Sequence, residues 1–228
     1  MSGLFQKLKS SLKKLKGDPY RGLSTVERFE KIYHSNDWND DESVSGPGSN
    51  MEQTQEVIRI INSVIAEYAI ERIVDIPCGD FGWMNQVNLA GATYVGGDIV
   101  KDLINRNISN YGHRRDLTFE FLDLLIDPIP EADLLLVRDC LVHLSHAQVK
   151  LALDNIRRSN VKYLLTTSFV EVDKNTDIHT GDWRPLNLTL PPFNLPNPTA
   201  VYNEKCTENG GKYADKSLVL WDIAKLRT

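Results

Sequence analysis

The chain has 228 residues, of which 41% are hydrophobic and 25% charged, and its formal net charge is −5. That length suits one α/β domain with a sizeable core plus extra segments, and the acidic balance argues against a general nucleic-acid binder, which needs a basic face. Cys78, Cys140 and Cys206 are too few and too far apart for a disulfide framework or a zinc knuckle, so reduced thiols in a cytoplasmic protein are expected; no apolar run reaches the 18 residues of a membrane span, and no secretory signal core is read.

The first predicted element is a basic amphipathic helix over residues 1–17, "GLFQKLKSSLKKLKG". Leu4, Leu8, Leu12 and Leu15 form one stripe and lysines fill the other face. Five of the 26 basic residues and none of the 31 acidic ones lie there, leaving roughly −10 on the remainder. Residues 3–16 offer a contact to an anionic membrane surface or a protein partner, placing the chain at the inner membrane face; the alternative is a helix packed on its own domain.

Residues 18–50 form a second preamble. "STVERFEKIY" reads as a capped helix with Glu27 three residues after Ser24, followed by a polar loop ending in "SGPGS". From residue 51 onward a single domain is expected. An amphipathic helix carries Val57, Ile60, Ile61, Val64 and Ile65, and strands are then predicted at 72–77, 93–100, 118–124, 132–140 and 161–170. Helices are predicted between them: "DFGWMNQVNLAG", "KDLINRNISNYG" and "SHAQVKLALDNIRRSN", the last capped by Ser145. After a Pro-rich stretch, "AVYNEKCTENGGKYADKSLVLWDI" reads as two strands around a turn, an antiparallel hairpin at the sheet edge. The fold class is therefore α/β, a Rossmann-like and mostly parallel sheet with a C-terminal antiparallel hairpin and helices on both faces.

In such a sheet ligands bind outside the carboxyl ends of the strands. Three acids occupy those ends: Asp75, Asp98 and Asp123. Asp98, twenty-three residues after Asp75, suits the hydroxyls of a ribose, and Asp123 an exocyclic amine; the alternative for each acid alone is a strand-end cap. The turn "PCGDFGW" is expected to feed a helix N-terminus that favours a negative group, with Gly79 allowing close backbone approach.

With these motifs the chain resembles the class I S-adenosylmethionine-dependent methyltransferases. "VDIPCGD" stands where that family has its glycine loop, "GGDI" where it has the ribose acid and "FLDL" where it has the adenine-side acid. More narrowly it is similar to a bacterial group sharing "SGPGS", "DIPCGDFGWM", "RDCLVHLS", "YLLTTSF", "TGDWRPLNL" and "DKSLVLW". Pro77 replaces the first loop glycine and Phe81 a later one. The resemblance implies a seven-stranded sheet and S-adenosylmethionine as cofactor. It places Asp75, Pro77, Cys78, Gly79 and Asp80 around the methionine part, Asp98 and Ile99 at the ribose, Asp123 and Leu124 at the adenine, and Arg138 near the methionine moiety. Ser45, Gly46 and Ser49 would close over the carboxylate.

On the acceptor side, "VRDCLVHLS" brings His143 as general base, with Asp139 orienting it or taking the proton itself. The alternative for His143 is a core or capping histidine. Trp38, His179, Trp183 and Arg184 are the candidate acceptor contacts, Arg184 as a clamp for phosphate or carboxylate and the tryptophans as stacking surfaces. The expected activity is O-methylation of a small polar acceptor such as a sugar, nucleotide-sugar or surface-glycan unit, within polysaccharide biosynthesis. The alternatives are a phosphate- or phosphoramidate-bearing acceptor, N-methylation, a nucleotide-dependent dehydrogenase and a non-catalytic S-adenosylmethionine-binding protein. No metal is assigned, because the spacing of Glu204, Cys206, Glu208 and Asp215 fits no ligand pattern.

Overall fold

The computed structural model describes residues 18–37 and 45–227. The lysine-rich helix expected over residues 1–17 and the candidate Trp38 lie outside the described residues.

Seven strands form one sheet: β1 (Arg72–Asp75), β2 (Thr93–Asp98), β3 (Leu117–Phe121), β4 (Ala132–Val137), β5 (Val161–Phe169), β6 (Ala200–Asn203) and β7 (Lys216–Asp222). Their spatial order is β3-β2-β1-β4-β5-β7-β6. The first five run parallel, whereas β7 pairs antiparallel with both β5 and β6. The hairpin thus closes one edge, as its sequence indicates, with β7 inserted between β5 and the edge strand β6.

Central strands are buried on both faces, which explains their unbroken apolar runs. On β4, Leu134 and Leu136 face one core while Leu135 and Val137 face the other, the period of two expected of a pleated strand. Helix α2 (Met51–Glu67) covers the first face with Val57, Ile60, Ile61, Val64 and Ile65. Helix α4 (His146–Arg158) covers the second with Val149, Ala152, Leu153 and Ile156, its start capped by Ser145. Helix α3 (Lys101–Tyr111) follows β2. Ahead of them, α1 (Thr25–Ser35) begins with the Ser24–Glu27 capping box. Its Arg28 is buried and donates to both Asp18 carboxylate oxygens and to the carbonyls of Tyr20 and Thr180, which fastens α1 to the domain.

One predicted helix is absent. Residues 80–91 form only a single 3-10 turn, Met84–Gln86. Gly79 and Phe81 both adopt left-handed backbone, at φ +54° and +60°, which breaks helical continuity at its first turn. Phe81 instead drives its ring into Tyr94, Tyr111 and Phe119, with centroids 5.0, 5.0 and 5.1 Å away. The apolar residues that suggested a helical face, Trp83, Met84, Val87 and Leu89, are all buried as an irregular segment lying on the core. Consequently the turn after β1 feeds no α-helix, and the anion site expected at such a helix N-terminus does not form.

Among the described residues no helix is long and apolar enough to cross a membrane, and all three cysteines are free thiols.

Candidate active site

The chain leaves β1 to one side for β2 and β3, then crosses to β4 and β5 on the other, so a crevice opens at the carboxyl ends of β1 and β4. A cavity occupies that crevice. Its floor and walls come from the segments that follow four strands: Pro77–Gly79 after β1, Asp98–Val100 at the tip of β2, Leu122–Leu125 after β3 and Arg138–Cys140 after β4. His143 and Leu144 border it, as do Ser45, Ser49 and Trp83, and α1 contributes Thr25, Phe29 and Tyr33.

The acids at the strand tips are not equivalent. Asp98 and Asp123 line the cavity, whereas Asp75 lies beneath it and accepts a 2.7 Å hydrogen bond from the Tyr94 hydroxyl. Asp98 accepts from the backbone N–H of Val100 at 2.9 Å and of Gly79 at 3.1 Å. The Ile99 backbone N–H also acts on this carboxylate, and since a carboxylate offers about four lone-pair sites, Asp98 keeps capacity for one further donor. Asp123 caps the next turn by accepting from Leu125 N–H at 2.8 Å. Burial pushes Asp75 up to about 7, with the Asp98 charge adding to the effect, and pushes Asp98 up to about 6. Asp123 is raised as well, by burial and by neighbouring Asp127. This end of the cavity is therefore negative and undercompensated.

Gly79 sits directly below Ser45; a Cβ there would fall almost on the Ser45 hydroxyl oxygen, so the 45–49 turn and the β1 loop touch only because residue 79 lacks a side chain. Asp80, by contrast, turns back to accept from Gly82 N–H and is not part of the lining. The Cys78 and Cys140 thiols both border the cavity, and burial pushes both up, with Asp98 adding to the effect, so they present neutral sulfur there.

The opposite end is charged but balanced. Arg138 and Asp139 leave β4, Lys216 begins β7 and Glu204 follows β6. Lys216 Nζ donates to Asp139 Oδ2 at 2.7 Å and lies 3.6 Å from Glu204; Arg138 donates to Glu204 at 2.8 Å and lies 3.3 Å from Asp139. Arg138 also donates to the Gly48 carbonyl at 2.8 Å, which ties the 45–49 turn to this quartet. Burial would raise the Asp139 carboxyl, but Lys216 and Arg138 outweigh it and hold it at about 2. An acid so held does not accept a proton near neutrality, so the expectation that Asp139 could act as the base itself is corrected. Asp139 has φ +50°, a strained position for a non-glycine residue, at the cavity wall.

His143 stands on the one-turn segment Leu141–His143. Its Nδ1 lies 3.0 Å from the Asp182 carbonyl, which can only accept, so the proton sits on Nδ1 and the basic lone pair on Nε2. Burial lowers its pKa to about 4, against a raising contribution from Asp139, and the ring is neutral at pH 7.

Arg184 does not clamp a ligand. It is 4% exposed and its guanidinium donates to the carbonyls of Leu141 (2.8 Å), Leu144 (2.7 Å) and Thr176 (3.3 Å). The phosphate-clamp expectation is thereby corrected: the three carbonyls occupy the fork, and Arg184 instead braces the turn that carries His143. Trp183 packs edge-on against Phe169 and Tyr213 outside the lining, and His179 is exposed beside Thr180 behind α1. What the sequence reading passed over is the α1 wall. Thr25, Phe29 and Tyr33 recur every fourth residue, and that spacing was the available signal.

No protein-family model and no curated protein matches the chain. Solved structures do. Human N-acetylserotonin methyltransferase in complex with S-adenosylmethionine is 13% identical with a TM-score of 0.56, over 88% of this chain and 60% of that one. An rRNA methylase from Escherichia coli is 17% identical with a TM-score of 0.55, over 94% of this chain and 82% of that one. An O-methyltransferase family protein from Burkholderia thailandensis is 14% identical with a TM-score of 0.52, over 74% of this chain and 55% of that one. The chain has a Rossmann-like methyltransferase fold. It spans less than two thirds of the human and Burkholderia proteins, and at these identities the likeness is one of fold.

Proposed function

We propose that this chain is an S-adenosylmethionine-dependent methyltransferase acting on a hydroxyl or amine of a small acceptor. The observation that carries the reading is the cavity at the β1/β4 crevice, with undercompensated carboxylates at one end and a neutral histidine at the other. The fold neighbours support it, being named for methyl transfer.

The lining fits an adenosyl sulfonium. Asp98 has a lone-pair site left for a ribose hydroxyl, Ile99, Leu103, Leu124 and Leu125 offer an apolar slot for a base, and Asp123 borders that slot. The raised Asp75 and Asp98 are complementary to a cation, which relieves their mutual repulsion. Ser45 and Ser49 also line the cavity, and Arg138 Nε is a buried donor without a partner among the described residues. When bound, S-adenosylmethionine supplies an electrophilic methyl group. The chain's own part is to orient the acceptor and take its proton: Nε2 of His143 accepts it, Asp182 holds the ring through Nδ1, and the nearby Asp139 charge favours the protonated ring.

The expectation of a sugar or glycan unit was motivated by the Trp- and Arg-bearing loop and by the lysine-rich helix; the helix lies outside the described residues, and Trp183, Arg184 and His179 do not border the cavity. The acceptor is better read from the walls that do. Titration calorimetry with S-adenosylhomocysteine, with NAD as control, tests the cofactor; binding of NAD alone would favour a dehydrogenase and end this reading. Transfer of a labelled methyl group to small acceptors that vanishes in His143→Ala distinguishes an enzyme from a non-catalytic binder.

A further inference from the structure

We infer that α1 is the specificity element of the acceptor seat, and that the seat takes an uncharged molecule presenting a flat apolar ring that bears a hydroxyl. The inference rests on the reading of the cavity as a methyl-transfer site and names its substrate class.

Three observations converge. First, Thr25, Phe29 and Tyr33 project into the cavity from one stripe of α1, two of them aromatic. All three are half-buried, as expected of a wall facing an internal space. Phe29 also packs on the core cluster that contains Leu141 and Leu144, and the stripe lines the same cavity as His143 and Leu144.

Second, the wall is held in place before any ligand arrives. Arg28, on the neighbouring stripe, spends its guanidinium on Asp18, Tyr20 and Thr180. Thr25 accepts from Gln148 of α4 at 2.8 Å, which fixes the start of α1 beside the His143 turn. Ile32 closes on Gly181, where an added Cβ would meet its Cδ1 at 2.8 Å. A seat whose shape is set in advance selects by shape.

Third, the cations that border or support the seat are already matched. Arg184 serves three carbonyls, Lys216 serves Asp139 and Glu204, and Arg138 is neutralised by Glu204 and Asp139, with only Nε unpaired. Among the described residues the seat therefore has no uncommitted charge for a phosphate or carboxylate. It has ring faces, hydroxyls and the imidazole, which suits an aryl hydroxyl.

The test is binding to the full chain saturated with S-adenosylhomocysteine, read by calorimetry with three probes: 2-naphthol, glucose and glucose 1-phosphate. The expected result is that 2-naphthol binds at least tenfold more tightly than either sugar. Phe29→Ala and Tyr33→Ala should each weaken it about tenfold, while the dissociation constant for S-adenosylhomocysteine changes less than twofold. Should Phe29→Ala unfold the chain, Phe29→Leu keeps apolar volume and removes only the ring, and the same loss is expected. Tighter binding of either sugar, no binding of 2-naphthol, or 2-naphthol affinity indifferent to both substitutions overturns the inference while the cofactor reading stands. Failure of S-adenosylhomocysteine itself to bind overturns that reading, and the inference with it.

Discussion

The two ends of the cavity handle charge in opposite ways. At the tips of β1, β2 and β3, the buried Asp75, Asp98 and Asp123 have no cation in contact among the described residues, and burial pushes all three up. At the tips of β4, β6 and β7, Asp139 and Glu204 are matched by Arg138 and Lys216, and Asp139 is held down at about 2. The difference teaches which end awaits a ligand. A carboxylate already paired has its electrostatic partner in the fold, whereas one buried without a cation gains most when a cationic ligand arrives.

The largest expected effect comes from unbalancing the balanced end. Lys216→Met leaves Asp139 and Glu204 sharing one buried arginine, and removing one partner of a buried ion pair costs about 3–5 kcal/mol. Chemical denaturation should show a loss of that size, and adding Asp139→Asn should recover part of it; full additivity of the two changes would mean that the pair is not coupled.

Next is His143→Ala, expected to lower the rate of methyl transfer about 100-fold or more while leaving S-adenosylhomocysteine affinity unchanged. In the unsubstituted chain the rate should be level between pH 6 and 8 on the histidine's account and fall towards pH 4, where His143 gains its proton. The same depressed pKa gives stability that is present above the ordinary histidine value of about 6.5 and lost as pH falls towards 4.

The unbalanced end should yield smaller, ligand-dependent effects. Asp98→Ala removes a charged acceptor for a ribose hydroxyl, worth roughly 1.5–3 kcal/mol, so S-adenosylhomocysteine should bind about 10- to 100-fold more weakly by calorimetry. Unchanged affinity would break the comparison at its centre.

The smallest effect is a pH dependence. S-adenosylmethionine carries a sulfonium charge that S-adenosylhomocysteine lacks. Its relative affinity should rise about tenfold from pH 5 to 8, as Asp98 ionises near 6 and Asp75 near 7, since one pKa unit is about 1.4 kcal/mol. Asp75→Asn should flatten that rise. For stability the sign is reversed relative to His143. These raised carboxyls contribute fully below about 4, and their contribution is lost as pH climbs through 6 to 7. Asp75→Asn should therefore raise the melting temperature at pH 8 and leave it unchanged at pH 4.

Much of the fold was legible because its signals are local. The runs "RIVD", "ADLLLV" and "VKYLLTTSF" announce strands buried on both faces, Ser24 with Glu27 and Ser145 announce helix starts, and the acids at the strand ends mark the cavity edge. The segment after β1 misled because Trp83, Met84, Val87 and Leu89 satisfy a helical spacing and an irregular buried path equally well. Left-handed Phe81, whose ring finds Tyr94, Tyr111 and Phe119 from other elements, decides between them. Arg184 misled in the same way: its residue type suits a phosphate, but the carbonyls of Leu141 and Leu144 lie some forty residues away.

By itself, then, the amino-acid sequence determined the order of elements, the mostly parallel sheet with its reversed last pair, and which acids stand at the strand tips, because periodicity, capping and strand burial act between near neighbours. Only the tertiary structure decided which charges are already neutralised, which histidine nitrogen holds the proton and which helix walls the acceptor seat. Those properties depend on groups brought together from distant parts of the chain, and electrostatic energies follow distance in space and burial rather than separation along the backbone.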